Sequence, residues 1–138
     1  MHTEATLAAD LRRLGIRPGD LVMVHASLKA IGPVDGGARA VVDALRAAVG
    51  PEGTLMGYAS WDRSPYEETL NGNVLDDEAR WTWPPFDPAT AGTYRGFGLL
   101  NRFLVETPGA RRSAHPDASM AAVGPLAARL TEPHRLGE

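Results

Sequence analysis

Two short blocks of the sequence combine residue types that suit the binding of a phosphorylated ligand. The first block leaves an apolar run and leads through Gly36 and Gly37 toward a helical pattern; its residues are Ser27, Leu28, Lys29, Ala30, Ile31 and Gly32. Free backbone N–H groups and the helix dipole at such a junction attract phosphate, and Lys29 adds a positive charge. The alternative is a strand-to-helix turn that uses glycine only for its geometry, and such turns are common.

The second block runs from Arg111 to Ser119 and holds two arginines, two serines and a histidine within nine residues. Arginine binds phosphate through paired hydrogen bonds, and serine hydroxyls add further ones. Arg112, Ser113 and Ser119 are therefore the candidate ligands of this block. A solvated loop with ordinary surface arginines has the same composition, and the residues alone leave both interpretations open.

The segment from Trp61 to Asp87 is both acidic and aromatic. Seven acidic residues stand against two arginines there, and the segment holds all three tryptophans of the chain. Carboxylates attract ammonium groups, and aromatic faces pack against sugar rings or cations. The pattern favours a cationic, ring-shaped ligand, with Trp61, Asp62, Tyr66 and Glu67 as its candidate contacts. The alternative is an acidic solvated loop whose tryptophans pack on the core.

The elements that must position these segments follow from the spacing of apolar residues. Leu7, Leu11 and Leu14 predict a helix over 3–14, and a second helix is predicted to follow the turn at Gly36-Gly37 and to run to about Val49, with Asp35 as its cap. The continuous apolar run 21–24 predicts a strand that is buried on both faces. Further strands are predicted over 54–60 and 119–123, and further helices over 97–104 and after Pro125.

The order strand, helix, strand predicts an α/β fold. We expect one α/β domain over residues 1–138, built as a layered α/β/α sandwich with a mostly parallel central sheet. Residues 61–93 show no periodicity and are expected to form a long acidic and aromatic substrate loop, since such long irregular stretches are often functional. Residues 135–138 show no element of their own.

Composition excludes several kinds of site and of partner. The chain has no cysteine, which removes disulfides, thiol nucleophiles and zinc–thiolate sites, and it has no His-Glu-x-x-His spacing, so no metal is expected. The net charge of −3 gives no general attraction to nucleic acid. No secretory signal or membrane-spanning run is present, and we expect a cytoplasmic protein. Neither a catalytic triad nor an oligomeric state follows from these residues.

The two blocks, together with their flanks, resemble the opening part of the aminoglycoside 3-N-acetyltransferases. The resemblance lies in Gly19 to Gly32, Gly36-Gly37-Ala38, Gly53-Thr54-Leu55, Thr107 to Pro116 and Ser119. It covers essentially the whole chain, and the two blocks in this order and spacing are more specific than either alone. It implies an antibiotic-resistance enzyme that transfers acetyl from acetyl-CoA to the 3-amino group of a deoxystreptamine antibiotic.

The resemblance also implies a ligand for each segment. Acetyl-CoA would contact the Ser27 to Gly32 loop and the block of Arg112, Ser113 and Ser119. The polycationic aminoglycoside would lie against Trp61 to Asp87, where Asp62 and Glu67 are the preferred carboxylates. The family has its own α/β architecture, and this chain is expected to form an incomplete version of it.

The catalytic residue is expected to be missing from this chain. Family members are considerably longer, and their C-terminal half supplies a histidine, paired with a carboxylate, as general base. None of His2, His25, His115 and His134 is assigned that role. Two alternatives therefore stay open, namely a non-catalytic fragment that binds CoA or the aminoglycoside, and an acyltransferase that acts on another amine.

Overall fold

The computed structural model describes residues 1–133, except for the side chain of Phe97. Histidine 134 and the predicted irregular end at 135–138 lie outside the described residues. Within the described range the elements are α1 (Glu4–Arg13), β1 (Leu21–Val24), α2 (Leu28–Ile31), α3 (Gly37–Val49), β2 (Thr54–Tyr58), α4 (Pro65–Leu70), α5 (Asp77–Thr82), a 3-10 turn (Arg95–Phe97), α6 (Leu100–Val105), β3 (Arg111–Arg112), β4 (Met120–Val123) and α7 (Ala127–Leu130).

The four strands form one sheet in the order β1-β2-β4-β3. The predicted α/β class is confirmed, and β1 and β2 are parallel as expected, with Leu21 opposite Thr54. The expectation of a mostly parallel sheet is wrong, because β4 runs antiparallel to both β2 and β3. For β3 and β4 the physical reason is that the connection over 113–119 is too short for the crossover that a parallel pair requires.

The core lies between one face of the sheet and the helices α3 and α6. Buried apolar side chains form a single cluster there: Val41, Val42, Leu45, Leu55, Ala59, Leu100, Leu104, Ala121 and Val123. Gly57 on β2 lets α6 approach closely, since a Cβ at this position would lie 2.8 Å from Asn101 Oδ1 and 2.9 Å from Leu104 Cδ2. The helix α6 is therefore held against the carboxyl end of β2, next to the candidate site.

The prediction that β1 is buried on both faces is wrong. Val22 and Val24 pack against the core, whereas Leu21 and Met23 are 47% and 58% exposed. Successive side chains of a strand point to opposite faces, and the outer face of β1 remains largely uncovered among the described residues. Leu14, expected on the buried face of α1, is also exposed.

Two helix starts differ from the expectation. Asp35 does not cap α3, because Gly36 occupies the N-cap position with φ of 86° and no side chain caps the helix. The unexpected helix α2 is capped by Ser27, whose Oγ accepts a hydrogen bond from the N–H of Ala30 at 3.3 Å. The first predicted ligand block is thus a single helical turn and not an open loop.

Candidate functional site at the carboxyl edge of the sheet

One edge of the sheet collects the segments that the sequence singled out. The parallel strands β1 and β2 both end there, so the residues after Val24 and after Tyr58 lie on the same side. Because β4 is antiparallel to β2 and β3, β4 begins and β3 ends at that edge too. The structure therefore brings Ser27, Asp62 and Ser113 toward one edge, although they lie far apart in sequence.

The first block offers a charged and exposed side chain at this edge. Lys29 lies on the exposed side of α2, whereas Leu28 and Ile31 pack toward the core cluster. Lys29 is also the only lysine in the chain. The ammonium group of a lysine is a point charge on a flexible side chain. It can therefore neutralise the charge of a diphosphate, but it does not match the geometry of the phosphate oxygens.

The second block is engaged within the protein. Ser113 and Ser119 are buried, Ser113 Oγ accepts the N–H of Met120 at 2.9 Å, and Ser119 Oγ donates to the carbonyl of Ser113 at 3.0 Å. These two hydroxyls therefore hold the hairpin between β3 and β4 together. Their contact with CoA stays a prediction, since each hydroxyl already makes a hydrogen bond within the hairpin.

Arg112 points from β3 toward the segment that follows Phe86. Its Nε–H donates to Ser119 Oγ at 2.9 Å, and its Nη2 donates to the carbonyl of Gly92 at 2.7 Å. Burial lowers the pKa of Arg112, and the nearby carboxylate of Asp62 acts in the opposite direction. The guanidinium nevertheless remains charged, because an arginine side chain keeps its proton in proteins.

A cleft of about 850 Å³ opens beside Asp62. Its walls are residues 88–93 on one side and α6 with its preceding turn on the other, and its charged lining residues are Asp62, Arg95, Arg102 and Glu106. Arg102 and Glu106 form an ion pair at 3.1 Å, and both side chains are solvent-exposed. The charges of the cleft are therefore balanced, and Asp62 is its carboxylate outside that ion pair.

The two preferred carboxylates lie in different surroundings. Glu67 is only 7% exposed and does not line the cleft of Asp62. It lies in α4, near the phenol of Tyr58. Burial raises the pKa of Tyr58, and a hydrogen bond with Ser60 partly opposes that effect. The negative charge of Glu67 raises the pKa of Tyr58 further. Of the two carboxylates, Asp62 is the better placed for a ligand in the cleft.

Two of the three tryptophans make contacts within the protein, and the third is exposed to solvent. Trp61 is 5% exposed and packs edge-on against Phe86, with ring centroids 5.4 Å apart. Trp83 donates its Nε1–H to the carbonyl of Arg63 at 2.7 Å, whereas Trp81 is 88% exposed. The segment predicted to be irregular also contains α4 and α5, which Ser64 and Asp76 cap. These helices have six residues each, too few for a clear apolar period, although Ser64-Pro65 is a start signal in the sequence.

Sequence reasoning missed a polar network around Asp117. Tyr58 Oη donates to the carbonyl of Asp117 at 2.7 Å, and Ser64 Oγ donates to its Oδ1 at 2.8 Å. His115 accepts the N–H of Ala118 through Nδ1 at 2.9 Å, which gives this histidine a role in the turn. No local signal indicates this network, because its partners lie on β2, α4 and the hairpin between β3 and β4.

Residues 1–133 contain neither a metal-binding cluster of histidines and acidic residues nor a membrane-spanning helix. The described histidines and acidic residues form no group of three or more that could hold a metal ion. None of the helices in this range is long and apolar enough to cross a membrane.

Known proteins are similar to this chain in both sequence and fold. Residues 23–138 match the family model of the aminoglycoside 3-N-acetyltransferases. Aminoglycoside N(3)-acetyltransferase III from Salmonella sp. is 77% identical over 137 residues, which cover 99% of this chain and 48% of the relative. The chain thus spans about half the length of the curated relatives it matches.

Solved structures agree in fold over nearly all of the chain. The crystal structure of aminoglycoside acetyltransferase AAC(3)-IIb has a TM-score of 0.89 at 77% identity and covers 99% of this chain and 51% of that one. AAC-VIa bound to sisomicin has a TM-score of 0.88 at 50% identity, covering 98% and 50%. AAC-IIIb in a binary complex with CoASH has a TM-score of 0.84 at 41% identity, covering 97% and 50%.

Proposed function

The chain belongs to the aminoglycoside 3-N-acetyltransferase family, and we propose on this premise that it serves acetyl transfer from acetyl-CoA to the 3-amino group of a deoxystreptamine aminoglycoside. The observation that carries the proposal is 77% identity over 99% of the chain to an aminoglycoside N(3)-acetyltransferase III. The cleft beside Asp62 supports it, because an anionic side chain there suits an ammonium group. Residues 1–138 act in this proposal as one domain, with 61–93 as its substrate segment.

We assign the acetyl-CoA side to the first block. Lys29 is exposed on α2 at the carboxyl edge of the sheet, and its charge suits the CoA diphosphate. Ser27, Leu28, Ala30, Ile31 and Gly32 would form the surface beneath it. The block of Arg112, Ser113 and Ser119 would shape this side mainly through its own hydrogen bonds, since its hydroxyls are buried. Because acetyl-CoA is a cytoplasmic metabolite, we also propose a cytoplasmic location.

We assign the aminoglycoside side to the cleft that Asp62 lines. The carboxylate would pair with an ammonium group of the antibiotic, while Trp61 holds the adjoining backbone in place. A charge-assisted hydrogen bond of this type contributes about 1.5–3 kcal/mol. Tyr66 and Glu67 stay predicted contacts on the neighbouring surface formed by α4.

The reaction requires a deprotonated amine beside the thioester. The amine nitrogen attacks the carbonyl carbon, the C–S bond breaks, and CoA leaves as a thiolate that takes up a proton, while the new amide nitrogen loses one. This chain contributes the positioning of both substrates, which reduces the entropic part of the barrier. The general base is proposed to lie outside residues 1–138, and none of the four histidines of the chain is assigned that role.

Binding and turnover are measured on the same preparation. Purified chain, with an intact mass that matches 138 residues, is titrated with acetyl-CoA and with gentamicin by calorimetry. It is then incubated with both, and released CoA thiol is followed. We expect both ligands to bind, acetyl-CoA weakly, and thiol release to be slow or absent. A folded chain that binds neither ligand would contradict the proposal.

The thiol assay also separates the two alternatives. Binding of both ligands without antibiotic-dependent thiol release identifies a non-catalytic fragment. Thiol release with simple amines, but with no aminoglycoside, identifies an acyltransferase for another amine. As a positive control, residues 1–138 are joined to the remaining part of the Salmonella relative, and this chimera is expected to release thiol only when gentamicin is present.

A further inference from the structure

The guanidinium of Arg112 connects three segments that are far apart in sequence. Beyond its bonds to Ser119 Oγ and the Gly92 carbonyl, Nη1 donates to the carbonyl of Ala91 and Nη2 donates to the carbonyl of Ser60. One side chain on β3 thus holds the hairpin, the turn after β2 and the cleft wall at 91–92 together.

The contacts match the shape of a guanidinium and no other cation. Arginine presents five N–H groups in a rigid plane, and four of them are directed at these oxygens. The Cζ of Arg112 also lies 5.4 Å from the ring centroid of Phe86, which in turn packs against Trp61. A lysine ammonium has three donors around one point and does not reach all four acceptors.

The turn that Arg112 holds is conformationally unfavourable by itself. Ser60 has a φ of 50°, in the left-handed region that non-glycine residues seldom adopt. Such a residue persists only where its surroundings hold it. Ser60 is fully buried, and its carbonyl accepts a hydrogen bond from Arg112. Two residues later, Asp62 faces the cleft against the backbone of Gly92.

We infer that Arg112 is a positioning residue, which fixes the turn at Ser60 and the wall at Ala91 and Gly92 so that the carboxylate of Asp62 faces the cleft. It acts on the ligand through Asp62 and is not a ligand of the CoA phosphates. The identity of the ligand rests on the proposed function, whereas the effect of Arg112 on the position of Asp62 does not.

The test uses Trp61 as a reporter that needs no ligand. In a background that carries Trp81→Phe and Trp83→Phe, Trp61 is the single tryptophan. Its quenching by acrylamide is compared in the parent, in Arg112→Ala, in Arg112→Lys and in Arg111→Ala. The last is the matched control, because Arg111 precedes Arg112 on β3 and is exposed. We expect quenching to rise in both Arg112 variants and to stay unchanged in Arg111→Ala.

Chemical rescue shows whether the planar hydrogen-bond donors of the Arg112 guanidinium are required, or only the volume or the positive charge of its side chain. Added ethylguanidinium is expected to restore the low quenching of Trp61 in Arg112→Ala, and ethylammonium is not, because it lacks the planar donors. Gentamicin affinity, measured by calorimetry in the wild-type background, is expected to fall about tenfold in Arg112→Ala, the loss typical for a mispositioned charged hydrogen bond. It should recover with ethylguanidinium.

Other results would contradict either the positioning role of Arg112 or the proposed function. Unchanged quenching of Trp61 and unchanged gentamicin affinity in Arg112→Ala would overturn the inference. Weaker acetyl-CoA binding with both of those readouts unchanged would overturn it in favour of a phosphate ligand. If the wild-type chain does not bind gentamicin but Trp61 responds as expected, the proposed function fails and the positioning role stands. If Arg112→Ala does not fold, Arg112→Lys decides, through quenching alone.

Discussion

The carboxylate of Asp62 rests directly on the backbone of Gly92. A Cβ at residue 92 would lie 2.3 Å from Asp62 Oδ2 and 2.6 Å from its Cγ, far inside van der Waals contact. The place of this carboxylate in the cleft therefore depends on the absence of a side chain thirty residues along the chain.

Gly92→Ala is expected to displace the carboxylate of Asp62. It should therefore weaken gentamicin binding about as much as Asp62→Asn, which removes the charge of that carboxylate. The methyl group cannot be accommodated without movement of the carboxylate or of the wall. A double-mutant cycle with Asp62→Asn, read by calorimetry, checks this. The double variant should bind no more weakly than Asp62→Asn alone, and fully additive losses would refute the coupling.

Asp62→Asn is expected to weaken gentamicin binding by about tenfold, because a charged hydrogen bond to an ammonium group contributes about 1.5–3 kcal/mol. Glu52→Gln is the matched control, since it changes the net charge equally on an exposed turn at the other end of the sheet. The difference between the two variants should shrink as salt is raised, because salt screens exposed charges. Equal losses in both variants would indicate a general charge effect only.

CoA is expected to protect Lys29 from amine-directed chemical modification. Lys29 is the only lysine in the chain, so the N-terminal amino group is the other reactive amine and serves as an internal reference. Peptide mass spectrometry after brief reductive methylation measures both sites with and without CoA. Modification of Lys29 should fall severalfold while the N-terminus is unaffected; equal modification under both conditions would remove Lys29 from the CoA site.

The ionisation of Tyr58 is expected to lower the free energy of unfolding of the chain at alkaline pH. Burial raises the pKa of Tyr58 above its ordinary value of 10.0, so the folded state keeps a proton that the unfolded state loses first. The free energy of unfolding therefore falls as the pH rises through that value and is unaffected well below it. Tyr58→Phe lacks this ionisation and lacks the hydrogen bond to Asp117. In denaturant unfolding, the free energy of unfolding of the wild type should exceed that of Tyr58→Phe by less at pH 11 than at pH 8. A difference that stays constant over this range would contradict the prediction.

The uncovered face of β1 is expected to make the isolated chain self-associate. Leu21 and Met23 expose apolar area on a strand at the edge of the sheet, which favours association. Met23→Lys should raise the monomer fraction in sedimentation velocity. Val74→Lys is the control, because Val74 is also apolar and is 94% exposed, but it lies in a loop away from the sheet. A monodisperse wild-type monomer would show that the chain is self-sufficient.

The local elements of this fold were largely predictable. The regular spacing of apolar residues identified α1 and α3, the continuous apolar run 21–24 identified β1, and the strand predicted over 54–60 contains all of β2. The helices α2, α4 and α5 were not predicted, because each has only four to six residues and shows no clear apolar period. Their capping residues Ser27, Ser64 and Asp76 were visible in the sequence and are the signal that would have identified them.

The site was predictable in its chemistry but not in its arrangement. The residue types alone identified an acidic, aromatic segment and two blocks suited to phosphate, and the specific blocks identified the family. They did not separate Asp62, which faces the cleft, from Glu67, which is buried near Tyr58. Those two residues are five positions apart on a segment whose path depends on what it packs against.

The sequence by itself determined the longer elements and the kinds of side chain at the site, because these depend on neighbours within a few residues, and its separate motif blocks together determined the family. Only the tertiary structure decided that β4 is antiparallel, that one face of β1 is uncovered and that Arg112 bonds to the protein itself. Arg112 and Ser60 are 52 residues apart, and Arg112 and Gly92 are 20 apart. A guanidinium that suits phosphate can also donate to carbonyl oxygens, so its partner is determined by which of them the folded chain brings within reach.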